Sequence, residues 1–553
     1  MRKYTLGIDY GTLSVRTVLM DCMDGSVAAV DTMAYPHGVM SDYLPDGKTK
    51  LSVNWALEHP DDYLQVLEKT VNAVMKTSGI AKEDVIGLAI DFTSCTVVAA
   101  DREKQPLCNL EGYKARPHAY AKLWKHHGAQ DEADRINELL KNKGLVHQPR
   151  YGGAISPELL LPKILEVAND DPEIYEAADV FLEAGDWMTW VLTGTLKRSG
   201  NMAAYKAMWI PGEGYVPQEI LDELHPCFAN LVTEKLRGEV VRAGGKIGCL
   251  TKEWAEKLGL AEGIAVGPSI IDSHAGMPGS GIYRPGQMML VLGTSSVELL
   301  LSDHPYADHG VVGCVRGAIM PGYYSLEAGL AAVGDMYGWF ADRLCPASYK
   351  EAAEKMGMNL HQYLSHLASG MKPGESGLLA LDWWNGNKTP YVNGNLSGIL
   401  LGLNLQTRPE EIYRALIEAT AYGTRLIMEE FMKSGATVDE VIVSGGIAEK
   451  NPFVLKIFTD VLNKPIKLSA SDQTAAMGSA MYAAAAAGKE AGGYESIAEA
   501  ARALAKLKDT ICLPDPENAA LYDRLYALYQ HLVTVFDPRE NPVLETLHAL
   551  RRG

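Results

Sequence analysis

A short apolar strand at the N-terminus runs into Gly7-Ile-Asp-Tyr-Gly-Thr-Leu-Ser-Val-Arg16, and the second half of the chain echoes it as Val291-Leu-Gly-Thr-Ser-Ser296. In each copy an apolar run meets Gly-Thr and resumes as a strand. The turn therefore bares backbone N–H groups and a hydroxyl with no bulky side chain in the way. Phosphate oxygens suit such a turn. One copy alone reads more readily as an ordinary hairpin, since short glycine motifs recur by chance; two copies in one chain point to a clamp around a nucleotide.

At 553 residues the chain exceeds the size at which one core stops growing, so two or more domains are expected. Its 51 basic and 69 acidic residues leave a formal charge of −18, which disfavours nucleic acid and anionic membrane as partners. An anionic ligand must be held by local groups. Arg2 and Lys3 are followed by Asp9 before any apolar leader forms, and no run approaches a bilayer-spanning length, so a cytoplasmic protein is expected. The eight cysteines form no C-x-x-C pair and do not cluster with histidines at metal-ligand spacing; they read as thiols in a reducing compartment. The neighbours His126 and His127 diverge on a helix surface, which favours solvation or packing over metal.

Apolar runs at 4–8, 16–20, 85–90 and 97–100 alternate with helical stretches at 61–75 and 159–168, the grammar of an α/β protein. The second half repeats it, with strands at 287–292, 297–301 and 440–444 and helices at 330–344, 409–433 and 452–462. A Gly/Pro-rich stretch from Gly276 to Gly286 separates the series and sets the expected domains at 1–283 and 284–553. Near the C-terminus, residues 498–507 are rich in Ala and Leu, and 516–536 places Tyr522, Leu525, Leu528 and Leu532 at helical spacing, a core-packing pattern.

Four segments carry chemistry. Asp9 ends a strand and is followed by Gly11, Thr12 and Arg16; the carboxylate suits Mg²⁺, directly or through water, while the turn and Arg16 meet phosphate. An Asp capping a turn is the alternative. Gly293 and Thr294 offer a facing set of donors. In Val441-Ile-Val-Ser-Gly-Gly-Ile-Ala-Glu-Lys-Asn-Pro452, Gly445 and Gly446 let a base or phosphate lie on the backbone, and Asn451-Pro452 opens a helix whose N-terminus favours negative charge. Close packing explains that pattern too. In Gly267-Pro-Ser-Ile-Ile-Asp-Ser-His-Ala-Gly276, Asp272 should project from a strand end into open space, as a base for a hydroxyl would. His274 is a rival base or a packed, hydrogen-bonded residue.

The order of these segments resembles the FGGY carbohydrate kinase family of the actin-like ATPase superfamily, over nearly the whole chain. Asp9-Tyr-Gly-Thr-Leu-Ser-Val-Arg16 is similar to the first phosphate loop, Gly293-Thr294 to the second, Ser444-Gly-Gly446 to the adenosine segment, and Asp272 to the catalytic base. Within the family, Gly87-Leu-Ala-Ile-Asp-Phe-Thr-Ser-Cys-Thr96, Leu123-Trp-Lys-His-His-Gly-Ala-Gln-Asp131, Pro149-Arg-Tyr-Gly-Gly153, Ala204-Tyr-Lys-Ala-Met-Trp209 and Ser325-Leu-Glu-Ala-Gly329 resemble the branch that phosphorylates L-ribulose.

The resemblance implies an α/β fold of two RNase-H-like domains with mixed sheets around a deep hinged cleft, with sugar mainly on the first and ATP·Mg²⁺ mainly on the second. It implies Asp272 as the base for the sugar's 5-hydroxyl and Asp9 at the metal. Gly11, Thr12, Arg16, Gly293 and Thr294 would surround the phosphates, and Gly334, Gly445, Gly446 and Asn451 the nucleotide. Lys206, Glu327 and Ser94, through its backbone or hydroxyl, would hold the sugar. A snorkelling lysine and a helix-end glutamate are the plainer readings of Lys206 and Glu327. Sugar and ATP are the expected partners, with homodimer formation left open. A non-enzymatic actin-like ATPase or a silent sugar-binding regulator are the rival classes. Of Trp55, Trp124, Trp187, Trp383 and Trp384, most are expected in core or interface rather than stacked on sugar.

Overall fold

The computed structural model describes residues 2–145, 151–306, 310–311 and 313–552; Pro149 and Arg150, part of one motif above, lie outside them. Its framework is one mixed-sheet topology built twice. In the first sheet β1 (Tyr4–Tyr10), β2 (Ser14–Asp21) and β3 (Val27–Ala34) form an antiparallel meander, and β4 (Val85–Phe92) runs parallel to β1. β5 (Gly248–Cys249) pairs antiparallel with β6 (Ala265–Val266), while β6 and β7 (Ile270–Ile271) both lie parallel to β4. β1 and β4 are buried along most of their length, as central strands covered on both faces must be.

The second sheet comprises β8 (Gln287–Leu292), β9 (Ser296–Ser302), β10 (Gly313–Arg316), β11 (Tyr324–Ala328), β12 (Glu440–Ser444), β13 (Ile466–Ser469) and β14 (Leu507–Cys512). The orders β3-β2-β1-β4-β6-β5 and β11-β9-β8-β12-β13-β14 match, with the same parallel or antiparallel sense at every step; β10 is an addition beyond β11. The two Gly-Thr turns join equivalent strands of the two copies.

Helices connect and cover these sheets: α1 (Pro60–Ser78), α2 (Gly200–Lys206), α3 (Asp272–Gly279), α4 (Gly334–Arg343), α5 (Pro409–Lys433), α6 (Gly446–Lys450), α7 (Pro452–Leu462) and α8 (Thr474–Ala487). Although α8 follows the second sheet's β13, it packs on β1, β4 and α3. A buried cluster joins Val18, Met20 and Ala89 of the first sheet to Met289, Leu299 and Ile442 of the second through Ala476 and Ala480 of α8. A small four-stranded sheet inserted in the first half, Leu57–Glu58, Ala121–Lys122, Val97–Ala100 and Val180–Glu183, has its own core with Ile136, Leu140, Ile164 and Leu165.

Three expectations change in detail. Gly276 and Gly279, at the start of the 276–286 stretch, belong to buried α3, where Gly279 admits the backbone of Thr474 and Gly276 the Met289 side chain rather than loosening a loop. The helix expected over 330–344 starts at Gly334, because Val333 and Gly334 donate to the carbonyls of Thr294 and Gly293. The helix Pro516–Val535 buries Tyr522, Tyr526, Tyr529 and Val533, leaving Leu528 exposed; its buried face is rotated toward the tyrosines, which cluster around Tyr422.

Candidate active site

Asp9 lies in register with Asp91 on parallel β4, and Asp91 pairs with Ile270 of β7, two residues before Asp272. Three carboxyl groups thus gather at the C-terminal ends of β1, β4 and β7, where open α/β sheets bind their ligands. Asp91 was not singled out from the sequence as a site residue. It is fully buried, accepts from Ser479 Oγ of α8 at 2.6 Å, and among the described residues has no hydrogen-bond partner for Oδ1. Burial and then the neighbouring Asp9 charge push its pKa well up.

Burial also raises Asp9, against the carboxyl of Asp91 and the charge of Arg16, whose Nη1 lies 3.4 Å from Asp9 Oδ2. The turn itself is closed by Gly11 N donating to Ser14 O at 3.0 Å. Thr12 Oγ1 accepts from Trp124 Nε1 at 3.1 Å, and Trp124 is 38% exposed. This tryptophan is therefore beside the first Gly-Thr turn rather than in the core, unlike Trp187 and Trp383.

Asp272 opens α3, and burial followed by the Asp9 charge pushes it up to about 7. Its acceptor strength is thereby matched to proton transfer near neutrality. Lys206 ends α2; burial opposes its charge, but Glu327 and then Cys95 and Glu158 raise its pKa further. Glu327, in the middle of β11 rather than at a helix end, is held down to about 2: burial opposes ionisation, but Lys206 and a hydrogen bond from His274 prevail. Lys388, also missed from the sequence, adds to that effect from an exposed position. Ser94 precedes Cys95, a non-glycine residue at φ 59° whose carbonyl accepts from buried Lys163 Nζ at 2.5 Å. The structure brings Lys206, Asp272 and Glu327 within one electrostatic neighbourhood.

On the second sheet, Gly293 N donates to Ser295 O and Gly334 N to Gly293 O, both at 3.0 Å. A methyl on Gly334 would lie 2.8 Å from that carbonyl oxygen and 2.9 Å from Ile447 Cδ1. Gly445, at φ 103°, packs its α-carbon against Leu292, whereas a β-carbon on Gly446 would meet nothing closer than Lys450 Nζ at 4.0 Å. The second turn, the start of α4 and the Gly-Gly segment are thus assembled together. Asn451 has a structural duty: Oδ1 accepts from Val454 N to cap α7 and Nδ2 donates to Ser365 Oγ at 2.8 Å.

His126 is buried with Nε2 at 3.0 Å from Glu166, which also pairs with Lys122, and His127 pairs with Glu158. Both are protein-bonded. Among the described residues no group of three His, Cys, Asp or Glu forms a metal cage. The orphaned Asp91 Oδ1 beside Asp9 instead fits a hard cation that takes one or two carboxylates and fills its shell with phosphate and water. Among the described residues no helix is long and apolar enough to cross a membrane.

Comparison with known proteins accords with this geometry. Residues 4–279 match the N-terminal domain of the FGGY family of carbohydrate kinases, and 288–487 match its C-terminal domain. A ribulokinase of Anoxybacillus flavithermus is 46% identical over 546 residues, 99% of this chain and 97% of the relative. A ribulokinase of Staphylococcus aureus strain Newman is 36% identical over 554 residues, covering 99% of each. The solved structure of a xylulose kinase from Rhodospirillum rubrum superposes with a TM-score of 0.79 over 97% of this chain and 99% of its own, at 22% identity, a likeness of fold. With both domain signatures present and the two-domain actin-like architecture in place, the chain belongs to the FGGY family of carbohydrate kinases.

Proposed function

We propose that the protein transfers the γ-phosphoryl group of ATP to O5 of L-ribulose. The observation that carries the chemistry is the placement of Asp272 at the end of β7, opening α3 beside the strand ends that bear Asp9 and Asp91; burial and the Asp9 charge raise its pKa to about 7. The sugar assignment draws on the ribulokinases to which the chain is 36–46% identical over almost its full length.

In this reading Asp272 accepts the proton of the 5-hydroxyl as the oxygen attacks the γ-phosphorus in line and the β–γ bridging oxygen departs with ADP. Lys206 and Glu327 orient the sugar oxygens, with Ser94 on the same side. Gly11, Thr12, Arg16, Gly293 and Thr294 surround the phosphates; Gly334, Gly445, Gly446 and Asn451 line the nucleotide side. Asp9, with Asp91 behind it, would hold Mg²⁺, which neutralises phosphate charge. Positioning and charge neutralisation supply most of the acceleration. Residues 1–283 carry mainly the sugar and 284–553 mainly ATP, except that Glu327 reaches the sugar from the second sheet. Closure of the two halves excludes water and protects ATP from hydrolysis. Eight unbridged cysteines suit a reducing cytoplasm.

A coupled ATP-consumption assay over ketopentoses, polyols and glycerol tests the substrate. L-Ribulose is expected to have the highest kcat/KM, since a site of buried polar groups penalises a ligand that leaves them unpaired. Xylulose or glycerol as best substrate would overturn the sugar assignment.

The open space at Gly446 gives a second test. Gly446→Val should leave folding and sugar KM nearly unchanged and raise KM for ATP, because a β-carbon there meets nothing closer than Lys450 Nζ at 4.0 Å and the added bulk enters the nucleotide's place. A shifted sugar KM with unchanged ATP KM would reverse the assignment of the two sides.

A further inference from the structure

His274 has both ring nitrogens committed. Asn201 fixes one of them: its Oδ1 accepts from Ile271 N at 2.9 Å, and its Nδ2 donates to Ala318 O at 3.0 Å, so the amide has one workable orientation. The remaining Nδ2 hydrogen points to His274 Nδ1, 2.9 Å away. His274 Nδ1 is therefore an acceptor, the ring proton sits on Nε2, and Nε2–H donates to Glu327 Oε2 at 3.0 Å. No lone pair is left for a substrate proton, which removes His274 as a rival base.

The ring is fully buried and held edge-on by Tyr205, with centroids 4.4 Å apart; Tyr205 in turn donates to Ser325 O at 2.7 Å, two residues from Glu327. Asn201 belongs to α2, His274 to α3, and Glu327 to β11 of the second sheet. Glu327 Oε1 has no hydrogen-bond partner among the described residues, and the side chain is 16% exposed. One oxygen is pinned and the other is free for a ligand.

We propose that Asn201 and His274 are positioning residues that fix the Glu327 carboxylate relative to Asp272 and so decide which sugar hydroxyl faces the base. The inference rests on the proposed sugar site. Its physical content is that His274 stands two residues after Asp272 on the same helix, so the hydrogen bond to Glu327 ties a carboxylate of the second sheet to the element that carries the base. The sugar pocket is thereby completed across the two sheets.

The test is a double-mutant cycle. His274→Leu removes the donor at similar volume, and a hydrogen bond to a charged group corresponds to about 10- to 100-fold in sugar KM. KM for ATP should stay near wild type, and the preference for L-ribulose over xylulose should shrink. His274→Gln, whose amide N–H reaches toward the same oxygen, should recover most of the sugar affinity. In a Glu327→Gln background, His274→Leu should add little, because residues acting through one another are non-additive. Should His274→Leu not fold, His274→Asn, too short to reach Glu327, replaces it. Equal losses for sugar and ATP, no recovery by Gln, or a full His274 effect without the Glu327 carboxylate would each overturn the proposal. If L-ribulose is not the best sugar, the same cycle run on the preferred one still decides the role of His274, separating failure of the relay from failure of the substrate assignment.

Discussion

Asp272→Asn is expected to lower kcat by roughly 10²- to 10⁴-fold, the range for losing a positioned general base, while circular dichroism and the binding of both ligands stay near wild type. The substitution keeps shape and removes the acceptor charge at the one carboxyl that opens α3 beside Asp9. A pH profile sharpens the expectation. Burial and the Asp9 charge raise Asp272 to about 7, and a base works only when deprotonated, so kcat/KM for the sugar should rise with pH through about 7 and fall about tenfold per unit below it. The Asn variant should lack that limb. Near-normal turnover in Asp272→Asn, or an acid limb that survives it, would remove Asp272 from the proton transfer.

The duplicated Gly-Thr turns were legible because each is local: a few consecutive residues specify strand, turn and strand, and both turns form with the expected strand pairing. Asp9, Asp272 and the Gly445–Gly446 pair were legible for the same reason, each marking the end of an apolar run. Asp91 is different: within Ile90-Asp-Phe92 nothing local separates a site carboxyl from a tolerated buried one. Only the parallel register with Asp9 reveals it. Glu327 shows the opposite failure. Its local pattern allowed a helix end, yet antiparallel pairing with β9 makes it a strand residue whose partner, His274, is 53 residues away. The path of α8 was equally hidden: an alanine-rich helix declares its helicity but not the sheet it covers.

That path sets the second large effect. α8 crosses α3 and lies along β1 with backbones in contact, and glycine makes each approach feasible: a methyl on Gly478 would overlap the carbonyl oxygen of Ala275, one on Gly279 that of Thr474, and one on Gly7 that of Ala476. Gly478→Ala is therefore expected to destabilise the protein by about 1–3 kcal/mol or more, the cost of overpacking, since backbone cannot swing aside as a side chain would. Helix propensity alone predicts the reverse, because Ala in a helix interior is favoured over Gly by about 1 kcal/mol. Gly338 in α4 supplies the control. It is also helical, but a methyl there would meet nothing within 4 Å, so Gly338→Ala should be neutral or stabilising by up to about 1 kcal/mol. Denaturant midpoints of the two variants decide between packing and propensity. The Gly478→Ala midpoint should fall and the Gly338→Ala midpoint hold or rise; similar shifts in both would mean that the α3–α8 crossing is not the tight joint between the sheets. Because α3 begins at Asp272 and α8 carries Ser479, which bonds Asp91, separating these helices should also lower kcat at temperatures where Gly478→Ala remains folded, through displacement of the carboxyl groups at the strand ends.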